Sequence, residues 1–468
     1  VMGMAIPVSV QAVSFSLGDG ALNGSFDSQL TYGIAWRVGG PDNNPGDAGA
    51  VNFEDGDVVS NRIRGVHELE LNWGSFGAFF RGNYYYDHAN DNKDLAGAGL
   101  GIDGSVADRR AIDDANLLDA YVYATLGPVT VRVGKHVLSW GESTFIQGGI
   151  NDINTFDVSQ LRSPGSELKE ALLPNEAVSL QWALTDNLSL EGFVMTDFDE
   201  VELDPAGTFW SGNPAVADGG TRLGPYLRTG DDYAKNSGQW GVNAHYFAPG
   251  LGPGFDFGVY YVRVHSHAPY LNVSPAAGTY NLVYPEGVEI YGVSANTTLG
   301  SWAVSGEWSH RPALPVQGAL GIVGDMQQDQ VQVTGQLAKI PRFLDYIPLI
   351  PTADNSSLLI EVAKGWTDDV PTGAMNPIDD YWGFQASFSM DYLRAIAEVI
   401  NLQPRISFSW DVDGISGESS PNFFEKQKAY TVGMNWDYLN NLRGGLSYTH
   451  TIRGNERRWV EVNISYQF

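Results

Sequence analysis

The 468-residue chain has no cysteine. Disulfides, thiolate metal centres and cysteine nucleophiles are thereby excluded. No stretch reaches the ~18 consecutive apolar residues of a membrane-crossing helix, so the chain is either soluble or crosses a bilayer with strands. Basic residues are scarce, 27 Lys and Arg against 55 Asp and Glu, for a net charge of −28. A nucleic-acid partner is excluded, because its surface needs clustered cations. The acidic excess fits a solvated acidic surface or loops that collect divalent cations. The eight histidines form no H-E-x-x-H or other zinc spacing. Ser166-Glu167-Leu168-Lys169 has the S-x-x-K spacing of acyl enzymes without its companions, and reads instead as Ser166 capping a short helix. Gly99-Leu100-Gly101-Ile102-Asp103-Gly104 matches G-x-G-x-x-G, but no strand is expected before it and no helix after it. With no Ser–His–acid set in a favourable spacing either, no enzyme and no cofactor are expected.

What is abundant is glycine, 55 residues, and aromatics, 12% of the chain with 13 tryptophans. Mean hydropathy is only −0.18, as expected where oily and polar residues alternate and cancel. The last residues, WVEVNISYQF, place Val460, Val462, Ile464, Tyr466 and Phe468 on one face and Glu461, Asn463, Ser465 and Gln467 on the other. That period of two is a strand with one oily side. Counting back, such runs recur at 26–38, 63–73, 76–86, 118–126, 129–137, 178–184, 188–196, 240–246 and 255–263. They continue at 288–294, 302–308, 331–337, 358–362, 382–390, 406–412, 430–436, 444–448 and 458–468. The fold class expected is all-β, a transmembrane antiparallel barrel of about 18 strands, with 16 as the alternative. Connections alternate short and long, as periplasmic turns and outer loops do. Trp and Tyr gather at strand ends like interfacial girdles, and no ~40-residue blade repeat supports a soluble propeller. Residues 1–12 read as the remnant of a signal peptide, leaving 13–468 as a single barrel.

Several residues stand out. The 139–174 loop carries Trp140, Phe145, Ile146, Ile150, Phe156 and Leu161, too oily for water at roughly 1.5–3 kcal/mol per large side chain. It is expected to fold into the barrel mouth, bending at Gly148-Gly149, and either to cap the rim or to line the path of an apolar cargo. The lumen should hold Arg37, Arg64, Arg81, Arg132, Glu68, Glu70 and Asp119, with Glu191, Asp256, Glu307 and Glu361. Asp87, Asp91 and Asp94 are weak Ca²⁺ candidates in an oxygen-rich run that lacks the EF-hand spacing. His67 falls on the oily face of its strand. Two links at the periplasmic end, 338–353 and 392–404, are long and oily; Phe343, Tyr346, Leu349 and Ile396 are candidate docking residues for a partner. Tyr466 and Phe468 form a candidate assembly signal.

The stretch VGKHVLSWGESTFIQGGINDINTFDVSQLRSPGSELKEALLP (133–174) resembles the signature of a proteobacterial outer-membrane β-barrel family catalogued as domain of unknown function 1302. FSLGDGALNGSFDSQLTYGIAWRV near the start, GDVVSNRIRGVHELELN (56–72), ALTDNLSLEGF (183–193), HRPALPVQ (310–317) and NLQPRISFSWDVDGISG (401–417) agree with it. Trp410 stands where members often carry His. The resemblance implies the bacterial outer membrane, with its lipids as surroundings. Members are typically encoded beside RND-type transporters and a periplasmic carrier of lipoprotein-carrier-like fold. By that analogy the chain would be the outer-membrane part of an envelope-spanning route that passes or binds hydrophobic, lipid-like molecules, with bound lipid as a possible ligand. A general diffusion porin for small polar solutes and a structural scaffold barrel are the alternatives; a homo-oligomer is open.

Overall fold

A computed structural model describes residues 13–39, 47–96, 100–338, 353–452 and 456–468. Alternation builds a sheet whose two faces meet different media. Eighteen antiparallel strands close on themselves. They are β1 (Leu22–Arg37), β2 (Val58–Trp73), β3 (Phe76–Asp87), β4 (Asp113–Leu126), β5 (Val129–His136) and β6 (Asn175–Ala183). Then come β7 (Leu188–Met195), β8 (Trp240–Ala248), β9 (Phe255–Val264), β10 (Val288–Leu299), β11 (Trp302–Gln317) and β12 (Ile322–Ala338). The circuit ends with β13 (Asn355–Asp368), β14 (Tyr381–Ile396), β15 (Ile400–Asp413), β16 (Lys428–Tyr438), β17 (Leu442–Ile452) and β18 (Arg457–Gln467). Each of the eighteen runs read from the sequence is one of these strands. β18 pairs with β1 from Trp459 opposite Arg37 to Gln467 opposite Gln29, and closure leaves no open edge.

Below that seam, Phe468 exchanges both main-chain hydrogen bonds with Ser28 at 2.9 Å. A short strand, Val13–Leu17, folds back as a hairpin on the lower end of β1, Val13 facing Phe26 and Leu17 facing Leu22. It occupies the same edge of β1 as β18 and lies in line with it.

The outward positions form an apolar belt. Tyr32, Ile63, Val122, Val178, Val259, Val293, Val333, Ile406, Val432, Leu446 and Ile464 all point to the exterior and are exposed. This is the face that meets hydrocarbon. Among the described residues no helix is long and apolar enough to cross a membrane. His67 lies on this outer face as expected, stacked between Phe26 and Tyr84 at 5.9 and 5.8 Å between ring centroids, with its Nδ1 2.8 Å from Ser28 Oγ.

Two connections differ from expectation. The stretch between the runs at 302–308 and 331–337, which alternation reads as a long outer loop over 311–327, is mostly strand: β11 and β12 run on to a link at 318–321. Register shifts between Arg311 and Leu314 and between Val316 and Gln317 absorb the break around Pro312 and Pro315; prolines and bulges hid the alternation. Residues 392–404 are also strand. β14 and β15 meet in a three-residue turn at 397–399, with Arg394, Ala397 and Glu398 at positive φ. Tyr392 is paired with Leu402 and Ile396 with Ile400 as rungs at the barrel base. The other oily link, with Phe343, Tyr346 and Leu349, lies at 339–352, outside the described residues, as do residues 1–12.

Candidate functional site

The β5–β6 connection folds into the barrel, as the sequence indicates. Four of its large apolar side chains, Trp140, Ile146, Ile150 and Ile153, are spent on the walls. Trp140, Ile150 and Ile153 form one buried cluster with Phe193, Met195, Tyr260, Val262 and Ile290 of β7, β9 and β10. Ile146, with Phe145 beside it, packs on Ala363, Tyr381 and Phe423.

Polar wall residues pin the same segment from two sides. On one, Arg64 of β2 donates to Glu170 at 2.9 Å and to the Gly165 carbonyl. Arg62 reaches Ser163 at 2.6 Å, and Lys169 reaches Glu68 at 2.9 Å. On the other, Glu361 of β13 accepts from Ser143 Oγ and Phe145 N–H at 2.6 Å and from Thr144 N–H at 3.2 Å. Glu307 of β11 accepts from Glu142 and Ile150 N–H at 2.5 and 3.0 Å. A Cβ on Gly149 would lie 2.1 Å from Glu307 Oε1, so glycine there permits the approach. Gly148 turns the chain at φ 91°. Arg311 ties Asp152 at 2.8 Å, and Trp140 Nε1 donates to Glu191 at 3.0 Å.

The loop does not cover the whole lumen. The inward positions of β14–β17, among them Gln385, Ser387, Ser389, Gln403, Ser407, Ser409, Thr431, Asn435 and Thr449, are only partly buried, and Arg405 is exposed. A cavity of about 170 Å³ lies where the loop tip, Phe145–Gln147, faces β14, β15 and Asn422-Phe423.

Above the barrel, connections knit a cap. Arg222–Leu223, Tyr226–Arg228, Tyr270–Ser274 and Thr279–Val283 form a four-stranded sheet over a core of Phe198, Tyr280, Leu282 and Tyr284. Arg110 joins three segments, with Glu202 and Asp218 at 2.8 Å and Asp157 at 3.4 Å. Asp157 and Glu202 are neighbours in an isolated bridge. Burial, only partly offset by Arg110 and reinforced by the Asp157 charge, pushes the Glu202 carboxyl up to about 7.

The nominated lumen charges all face inward and most are engaged. Arg37 holds the Phe53 carbonyl at 2.8 Å, Arg81 pairs with Asp119, and Arg132 lies over the Tyr121 ring. Glu70 accepts from Asn72 at 3.0 Å. Phe156 sits in a two-residue strand, Thr155–Phe156, paired with Leu172–Leu173, and Leu161 is exposed. The Ca²⁺ candidates do not converge. Asp87 is fully buried as the cap of helix His88–Asp91 and takes the Ser60 hydroxyl at 2.6 Å. Asp91 accepts from Tyr86 at 2.5 Å and Asp94 from Ala96 N–H. Among the described residues no three acidic or histidine side chains are grouped to hold a metal. Helix Gly104–Ile112 does follow Asp103, its cap, contrary to the reading of that loop. The cap of helix Leu168–Ala171 is Glu167, boxed with Glu170, rather than Ser166. Ile396 is exposed at the end of β14. Tyr466 and Phe468 stack outward, 5.7 Å apart. Sequence reasoning placed Glu307 and Glu361 in the lumen but not as tethers, and it missed Arg62, Arg311 and Arg405. Strict alternation along β2 and β15 was the signal for two of them; Arg311 was hidden by the bulge.

The family model described as Protein of unknown function (DUF1302) matches residues 1–468. The chain belongs to this family, and its closed barrel with an apolar outer belt is built to span a membrane with strands. No curated protein matches it. Solved structures similar to it include Acinetobacter baumannii OccAB4, 12% identical over 95% of this chain and 98% of that one, TM-score 0.48. A. baumannii OccAB3 is 10% identical over 95% and 99%, TM-score 0.49. A BenF-like porin from Pseudomonas fluorescens Pf-5 is 11% identical over 95% and 98%, TM-score 0.49.

Proposed function

We propose that this member of the DUF1302 family is a passive outer-membrane channel for small polar solutes, narrowed by the 137–174 segment, and not an enzyme. One observation carries the reading. The part of the lumen left uncovered by the loop, along β14–β17, is lined by hydroxyls, amides and charged groups, whereas Trp140, Ile146, Ile150 and Ile153 of the loop are buried against the walls. Amides and hydroxyls exchange hydrogen bonds with a hydrated solute at little cost, since each group lost from water finds another partner. An apolar cargo would leave them unpaired, at roughly 1–3 kcal/mol per buried group. Passage of lipid-like molecules would need a continuous apolar lining, and Trp140, Ile146 and Ile150 are not available to provide it.

The test is swelling of protein-containing liposomes in isotonic sugars and amino acids. Size-dependent swelling above that of empty liposomes is expected. An absence of swelling, together with a co-purifying lipid whose tail lies in the lumen, would overturn the reading in favour of lipid passage.

A further inference from the structure

Most cations in the described lumen have partners. Arg62, Arg64, Arg81 and Arg311 are in ion pairs. Arg405 is different: it faces inward from β15, is exposed to the lumen, and no hydrogen bond or ion pair engages it among the described residues. Glu361, the loop tether, is level with Gln385 and Ser409; Arg405 is four residues nearer the barrel base than Ser409, roughly 13 Å at ~3.3 Å per residue.

Its neighbourhood is built around it. Arg405 is registered opposite Ser389 on one side and Gly433 on the other. A Cβ on Gly433 would stand 3.2 Å from Arg405 Nε and 3.0 Å from Ser447 Cβ, so glycine leaves room for the side chain to lie along the wall. Ser447 donates its hydroxyl to Glu461 at 3.0 Å. Gln403 and Ser407 flank Arg405 on its own strand. The surrounding carboxylates are Glu461 across Ser447, Asp411 further up β15, and Asp391, held by Gln403 at 2.8 Å.

We propose that Arg405, with Ser389, Gln403 and Ser407, is a binding subsite in the passage for solutes bearing a single carboxylate. A guanidinium offers a planar fork of donors that matches a carboxylate in two parallel hydrogen bonds, and the hydroxyls of Ser389 and Ser407 can donate further. Glu461, Asp411 and Asp391 repel a second negative charge, which disfavours dicarboxylates and phosphate.

The proposal rests on the channel reading but is tested without transport. Titration calorimetry on the folded full chain in detergent uses benzoate as the monocarboxylate, benzamide as its neutral counterpart and succinate as the dianion, in a carboxylate-free buffer. Saturable benzoate binding is expected, with benzamide and succinate at least tenfold weaker. Arg405→Gln should weaken benzoate at least tenfold and Arg405→Lys less, while Arg132→Gln, at another exposed arginine, should leave it unchanged. Heat-modifiable migration confirms that each variant is folded. Equal benzoate affinity in wild type and Arg405→Gln, no benzoate binding at all, or succinate binding tighter than benzoate would overturn the proposal. Swelling without Arg405-dependent binding removes the subsite and keeps the channel; Arg405-dependent binding without swelling does the reverse.

Discussion

Releasing the loop at Glu361 should open the channel. Three donors of the 143–145 turn converge on this fully buried carboxylate, two of them at 2.6 Å. Hydrogen bonds to a charged group contribute about 1.5–3 kcal/mol each, but the released donors regain water in the lumen. A net loss of about 3 kcal/mol for Glu361→Ala is a reasonable order of magnitude. At 1.4 kcal/mol per tenfold, that raises the ratio of displaced to docked loop by about 100-fold. Glu361→Gln keeps the shape and one acceptor oxygen, so it should fall between. The assay is single-channel recording in planar bilayers. Wild type should dwell in a low-conductance level with rare larger openings. Glu361→Ala should spend a far greater share of time at the larger level, and Glu307→Ala combined with it should remain there. An unchanged open fraction in a folded Glu361→Ala barrel would refute the reasoning. It would mean that Ile146 in its pocket of Ala363, Tyr381 and Phe423, with the remaining tethers, holds the loop without Glu361.

Other outcomes follow from the same geometry. Glu202 keeps its proton to about pH 7 in the folded cap, against an ordinary value of 4.5; its contribution is therefore complete below 4.5, declines as pH rises, and is lost above 7. Amide exchange at Val158 and Glu202, corrected for intrinsic chemistry, should speed up from pH 5 to 8 in wild type and much less in Glu202→Gln; identical profiles would contradict this. On β15, Ile406→Arg on the lipid face should cost roughly 2–4 kcal/mol if near the midplane, whereas Ser407→Arg on the lumen face should leave urea unfolding nearly unchanged; equal losses would mean that the faces are exchanged. Tyr466→Ser with Phe468→Ser should sharply lower the amount of heat-modifiable barrel in membranes, and normal levels would rule out an assembly role for the terminal pair.

The barrel was legible because each strand carries its own period-two signal, repeated eighteen times, and because one face must be oily throughout. Legibility failed where a local rule was broken. Pro312 and Pro315 ended the reading of β11, yet bulges let the strand continue. At 392–404 an oily run looked like a loop because three residues of turn at 397–399 carry no Gly, Pro or Asn. The site was harder. Alternation places Glu361 in the lumen but cannot say that a turn 218 residues away in sequence will dock on it. Nor can it separate Arg64, which is paired with Glu170, from Arg405, which no hydrogen bond or ion pair engages among the described residues: the difference lies in where the loop docks, a tertiary fact. Trp140, Ile146 and Ile150 leave water as expected whereas Leu161 does not, and composition does not reveal whether a buried residue turns towards a path or a wall.

The hairpin at Val13–Leu17 acts as a ruler for the whole barrel. Closure requires β18 to choose one alignment on β1 among several. A slip of one residue towards the barrel base would swap its lipid and lumen faces, and the outer row of Val462, Ile464 and Tyr466 forbids that. A slip of two preserves the faces and so escapes that control; it would change the stagger of the cylinder, and with it the tilt and bore. It would also carry Phe468 to the position opposite Phe26, which Val13 already fills. The hairpin thus bars a two-residue slip of β18 towards the base, and with it one change in the width available to a solute.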